Sequence, residues 1–207
     1  CIAAGCHYVD LADGRGFVQG IATLDAAARA RGVLVCSGAS SVCGVSGAVV
    51  AALAASLQVV EAVDIAISIG NQTARGLATV QAILSYCGES IPAWRGGRLQ
   101  PVTGWGQGGC FEFAAPVGRR AVADCDVPDT VVLPSRYPQL HTVQARAGLE
   151  LPLLQGGMRV LAWLRRWRLA PNWARWARLL KWLSERLMGF GSDRGAMAVV
   201  VRGRDAQ

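Results

Sequence analysis

Lysine is nearly absent: of 21 basic residues only Lys181 is not an arginine. Histidine occurs twice, at His7 and His141, and neither stands in a nucleophile-elbow context, which removes a Ser-His-Asp hydrolase from the expected functions. The seven cysteines contain no CxxC pair, so neither a zinc ribbon nor a redox dithiol is expected; free thiols in a reduced, cytoplasmic setting are, several of them beside apolar residues, as Cys36 is, and expected to be buried. Also missing are an initiator methionine and a basic segment ahead of an apolar one at the start, so no signal peptide is visible. Acidic residues nearly vanish between Glu150 and Asp193, where Glu185 stands alone among eight arginines and lysines. The net charge of +7 makes an anionic partner worth considering, but no motif that reads bases accompanies it, and nucleic acid is not an expected partner. Charge is absent altogether from Val33 to Val60, a span long enough to cross a bilayer. Its centre, SGASSVCGVSG, breaks it into strand, turn and helix, so a membrane span is not expected.

What is present is the texture of an α/β chain. In 207 residues, 52% are hydrophobic and 17% charged, and aliphatic blocks alternate with glycine-rich turns. The pattern predicts a strand over 7–11 ended by Asp13-Gly14, a helix over 17–31 stopped by Gly32, a buried strand over 33–36 and a helix over 44–57. That is a βαβ unit with one more helix, as in part of a dinucleotide-binding domain, and it is assigned to residues 1–60. A second α/β domain is expected over 61–190. It would hold strands over 63–68, 111–113, 131–133 and 142–145 in a mixed or antiparallel sheet, a helix over 74–86, and a loop over 92–109. Two basic, tryptophan-rich helices over 160–168 and 172–188, divided at Pro171, close that domain, and residues 191–207 supply a final strand near 197–201. In the second helix Trp173, Trp176, Leu180, Leu183 and Leu187 share one face, while Trp182 lies among charges. Such a helix either covers the sheet with its arginines directed outward or docks on an anionic membrane surface.

Several segments in order carry a resemblance: HYVDLAD (7–13), SGASSVCGVSGAVV (37–50), IGNQTARGLATVQAILSYCG (69–88), PVTGW (101–105), PVGRR (116–120), CDVPD (125–129), AGLEL (147–151) and GSDRGAM (191–197). Together they resemble the saccharopine dehydrogenase-like oxidoreductases. The resemblance implies a Rossmann-type nucleotide-binding domain followed by a second α/β domain, NAD or NADP as cofactor, a small-molecule substrate and a homodimer. It begins after the place where GxGxxG would stand, so it implies an internal piece whose first nucleotide-binding half lies outside this sequence. Within GASSVCGVSG the family more often has proline where this chain has Cys43.

In an open α/β sheet, ligands gather beyond the carboxyl ends of the strands, here His7-Tyr8-Val9-Asp10 and Ser37-Gly38-Ala39-Ser40-Ser41. His7 is a candidate proton donor or a structural strand residue, Tyr8 a candidate hydrogen-bonding group for a carbonyl or carboxamide, and Asp10 a candidate site acid or a turn former. Ser40 and Ser41 are candidates to cap the next helix, whose N-terminus favours a phosphate or carboxylate. Asn71 and Arg75 are candidates to hold a substrate carboxylate, the alternative being a solvated loop. No metal site is expected.

Overall fold

A computed structural model describes residues 1–170 and 172–205; Pro171, the expected divider of the basic helices, lies outside them. The first strands, β1 (Tyr8–Val9) and β2 (Val35–Cys36), are short and run parallel, Tyr8 opposite Val35 and Val9 opposite Cys36. The connection between them is helical, through α1 (Arg15–Gly20), a 3-10 turn (Ile21–Leu24) and α2 (Asp25–Ala30), where one helix over 17–31 was expected. Gly32, at φ 61, ends it in the left-handed region that glycine adopts freely.

Next come α3 (Gly44–Ala54), β3 (Val59–Ile69), α4 (Leu77–Tyr86), β4 (Ser90–Arg95), β5 (Arg98–Thr103), β6 (Gly108–Glu112), β7 (Arg119–Asp124), α5 (Asp129–Arg136), β8 (Thr142–Leu149), α6 (Pro152–Arg166), α7 (Ala177–Glu185) and β9 (Ala196–Arg204). Seven strands form one mixed, mostly antiparallel sheet in the order β5-β4-β8-β3-β9, with β7 joining β8 and β6 joining β7. Only β3 and β8 are parallel in it. The protein is therefore α/β with a small parallel pair and a mixed sheet, as the sequence pattern predicts.

Two expected elements are corrected. The loop over 92–109 is instead a β4–β5 hairpin, closed by Gly96 and Gly97 at φ 60 and 72, the pair of positive φ values that a tight hairpin turn demands. Its prolines, Pro92 and Pro101, face each other, and β5 is an edge strand, where a missing backbone donor is tolerated. The strand over 131–133 is instead part of α5: Asp129 in the first turn and burial of Leu133 override the β preference of Val131 and Val132.

Alternation along β8 decides where the core lies. Val143, Ala145, Ala147 and Leu149 share one face, which three successive clusters cover. At one end, Val50 of α3 and Leu133 of α5 pack on Val63, Ile65 and Val143. At the other, Leu84 of α4, Met158 and Ala162 of α6 and Ala177 of α7 pack with Ala147 and Leu149. On the opposite face Arg146 pairs with Asp64 at 2.6 Å and lies 5.2 Å over the Phe111 ring, while Phe113 and Val122 cover Ala66.

Candidate functional site

Parallel pairing of β1 and β2 brings the two predicted strand ends together. Asp10 Oδ1 accepts hydrogen bonds from the Ala12 amide at 2.8 Å, the Ser37 hydroxyl at 2.8 Å and the Gly38 amide at 3.0 Å. Burial raises the Asp10 pKa, but these donors and the Tyr8 hydroxyl outweigh it and hold the carboxyl at about 2. The neighbouring Asp10 carboxylate raises the Tyr8 phenol in turn. Asp10 is thus a permanent anion that ties two loops together. His7 accepts the Leu34 amide at Nδ1, 2.9 Å, which spends that nitrogen on fastening β1 to the start of β2.

Ser40 and Ser41 do not cap α3 with their side chains, which corrects that expectation. The N-cap is Cys43, whose amide donates to Ser46 Oγ at 2.7 Å, and Ser46 donates onward to the buried Asp129 at 2.6 Å. The Val45 and Ser46 amides donate to the Ser40 and Ser41 carbonyls, and the Gly47 amide to that of Cys43. Those three amides are thereby spent inside the loop and helix, and the Asp10 anion stands beside Ser37 and Gly38. Cys43 has φ 77, a value closed to the proline of the resembling family, so this loop turns differently from one built around proline.

Asn71 and Arg75 sit together at the β3–α4 junction. Asn71 is buried; its amide nitrogen donates to the carbonyls of Leu187 at 2.6 Å and Phe190 at 2.8 Å, so it fastens the end of α7 and is not free to receive a substrate. One Arg75 nitrogen donates to the Asn71 carbonyl and side-chain oxygen. Glu150, which sequence reasoning did not single out, organises this corner. It accepts the Asn71 amide at 2.7 Å, the Ser192 amide at 2.8 Å, the Ser192 hydroxyl at 2.9 Å and Arg120 at 3.0 Å. Burial opposes ionisation there, yet these four donors lower its pKa to about 2.

Beside this corner α4, α6 and α7 wall a cavity of about 860 Å³, open to solvent and overwhelmingly apolar, with Arg75 at its rim and Trp105 against it. Gly156 and Gly157, adjacent in the middle of α6, front this space; a Cβ added at either would meet nothing within 4 Å. Two consecutive glycines inside an amphipathic helix were the available sequence signal for it.

Along the outside of the same helices Trp163, Trp167, Trp176 and Trp182 are each about half exposed or more, interleaved with arginines. Trp176 was expected to share the packed face; at 49% exposure it does not. Trp173 and Ala177 take that place, because a 3-10 turn (Trp173–Trp176) precedes α7 and rotates the tryptophans relative to one continuous helix. No helix among the described residues is long and apolar enough to cross a membrane, and no group of metal-binding side chains is found among them.

The fold and these sites define an α/β protein with a polar strand-end cluster and a separate apolar cavity. A saccharopine dehydrogenase (L-Glu forming) from Saccharomyces cerevisiae is similar in structure at 11% identity and a TM-score of 0.42, over 61% of this chain and 32% of that one. No protein-family model matches the sequence, and no curated protein does.

Proposed function

We propose that the chain is the substrate-side part of an NAD(P)-dependent oxidoreductase of the saccharopine dehydrogenase-like type. The observation that carries this reading is the parallel β1–β2 unit, whose carboxyl ends converge on Asp10, Ser37 and Gly38, where an open α/β sheet gathers its ligands. A bound cofactor would supply the hydride; Asp10, held by Ser37 and Gly38, contributes a fixed anion at the strand end, with Tyr8 two residues before it. The test is to express the chain together with the residues encoded upstream of Cys1 and titrate NADH and NADPH by calorimetry. Binding of one of them, with Asp10→Asn and Tyr8→Phe lowering turnover by more than they lower stability, is the expected result. Absence of binding by the extended protein sinks the reading.

A second reading has its own observation. Four tryptophans at least about half exposed among arginines on α6, α7 and the turn between them favour peripheral docking on an anionic lipid surface. Sedimentation with anionic vesicles tests it. Binding that fades with added salt and falls in Trp163→Ala and Trp182→Ala supports it, and salt-independent or absent binding removes it.

A further inference from the structure

We propose that the cavity between α4, α6 and α7 holds the hydrocarbon chain of a fatty-acid-like carboxylate, with Arg75 and the N-terminus of α4 receiving its head group. The volume, about 860 Å³, falls within the roughly 300–1,000 Å³ of small-molecule sites. Val80, Ile83, Leu84, Met158, Leu161 and Leu180 give it a wall suited to hydrocarbon and to little else. The space is kept open at a cost to α6, since glycine is the least favourable helix residue after proline and two of them stand side by side at 156 and 157.

Among the described residues Arg75 is the one basic side chain lining the cavity, and it forms no ion pair with any of them. Of its three nitrogens, only Nη2 donates to described groups, both of them on Asn71, which leaves Nε and Nη1 for a ligand. Glu185, the acid that acts on it, is engaged by Lys181. Immediately after Arg75, Gly76 is the N-cap of α4 and offers no side chain to it, so the first amides of the helix carry partial positive charge at the same end of the cavity. A neutral apolar ligand would leave this cation without an ion pair and these amides without acceptors. A small inorganic anion would leave the apolar wall empty. A carboxylate on a long chain matches both, and a guanidinium meets a carboxylate through two parallel hydrogen bonds.

Delipidated protein titrated with hexadecanoate, and separately with hexadecanol, tests this without any nucleotide, so failure here leaves the oxidoreductase reading standing and failure of that reading leaves this one standing. Saturable binding of hexadecanoate is expected, tighter than hexadecanol by at least about tenfold, the gap closing in Arg75→Gln and partly restored in Arg75→Lys. Gly157→Phe adds a ring at a position that lines the cavity and where an added Cβ meets nothing within 4 Å, and it should abolish binding of both ligands while melting stays at or above the parent value. No saturable binding, equal affinity for acid and alcohol, or full binding by Gly157→Phe each overturns the proposal.

Discussion

Glu150→Gln tests the corner on which both the end of β3 and the rim of the cavity depend. The carboxylate receives four donors on two oxygens, and its side chain is 11% exposed. Its pKa, ordinarily 4.5, stands at about 2. Such a displacement corresponds to at most about 3 kcal/mol at neutral pH, and solvent reaching the Arg120 side reduces it to about 1–2 kcal/mol. Glutamine offers one acceptor oxygen in place of two. The least costly orientation keeps that oxygen on the Asn71 and Ser192 amides and turns the NH2 toward Arg120, leaving a guanidinium without its anion. Together these losses amount to about 2–3 kcal/mol, or a fall in Tm of roughly 5–10 °C for a chain of this size. A depressed carboxylate pKa stabilises the fold above the unfolded value and ceases to do so as pH falls through the folded one. The gap between parent and variant in urea denaturation should therefore be full at pH 7 and shrink steadily below pH 4.5 toward about 2. A gap that is the same at pH 7 and pH 3, or one below about 0.5 kcal/mol at pH 7, refutes the reasoning.

Trp173→Ala should cost roughly 3 kcal/mol, since the ring packs with Leu84 and Met158 and its Nε1 donates to the Leu161 carbonyl at 2.9 Å, whereas Trp176→Ala should cost about half as much or less; equal losses in chemical denaturation would contradict the packing described. Gly156→Ala should stabilise by about 0.5–1 kcal/mol, because it adds helix preference where a Cβ meets open space, and a lowered Tm would mean that the backbone there is closer to a neighbour than the geometry shows. Ser46→Ala strips a buried acceptor from Cys43 and a buried donor from Asp129 at once; a loss of roughly 2–3 kcal/mol is expected in the same assay, and a neutral result would deny the link between α3 and α5.

The elements whose signals are local were legible in the sequence. Alternation over 63–68 marked the centre of β3, and Gly32 marked the end of the α1–α2 segment, because strand faces and left-handed stops depend on neighbouring residues. The β4–β5 hairpin escaped because Pro92 and Pro101 read as loop, although Gly96-Gly97 was the turn that joins the strands. Val131 and Val132 misled because packing of α5 on β4 and β8 outweighs β preference over so short a run. At the strand ends, Asp10 with Ser37 and Gly38 was foreseeable from parallel pairing alone. Glu150 was not, since its four donors come from three separate segments that only the tertiary fold assembles.

The position of β3 in the sheet has a consequence for synthesis. Each of its neighbours arrives late: Ala62 awaits Thr142 of β8, and Val59 awaits Arg204 of β9. For that interval a growing chain carries an apolar eleven-residue segment with both edges unpaired, which is the kind of segment that joins other copies into aggregates. Asp64 stands at its middle and gains Arg146 only when β8 docks. Before that moment the same carboxylate, with Glu61 three residues earlier, acts as a gatekeeper that makes stacking of nascent chains costly; once β8 is in place it becomes a partner within the finished sheet.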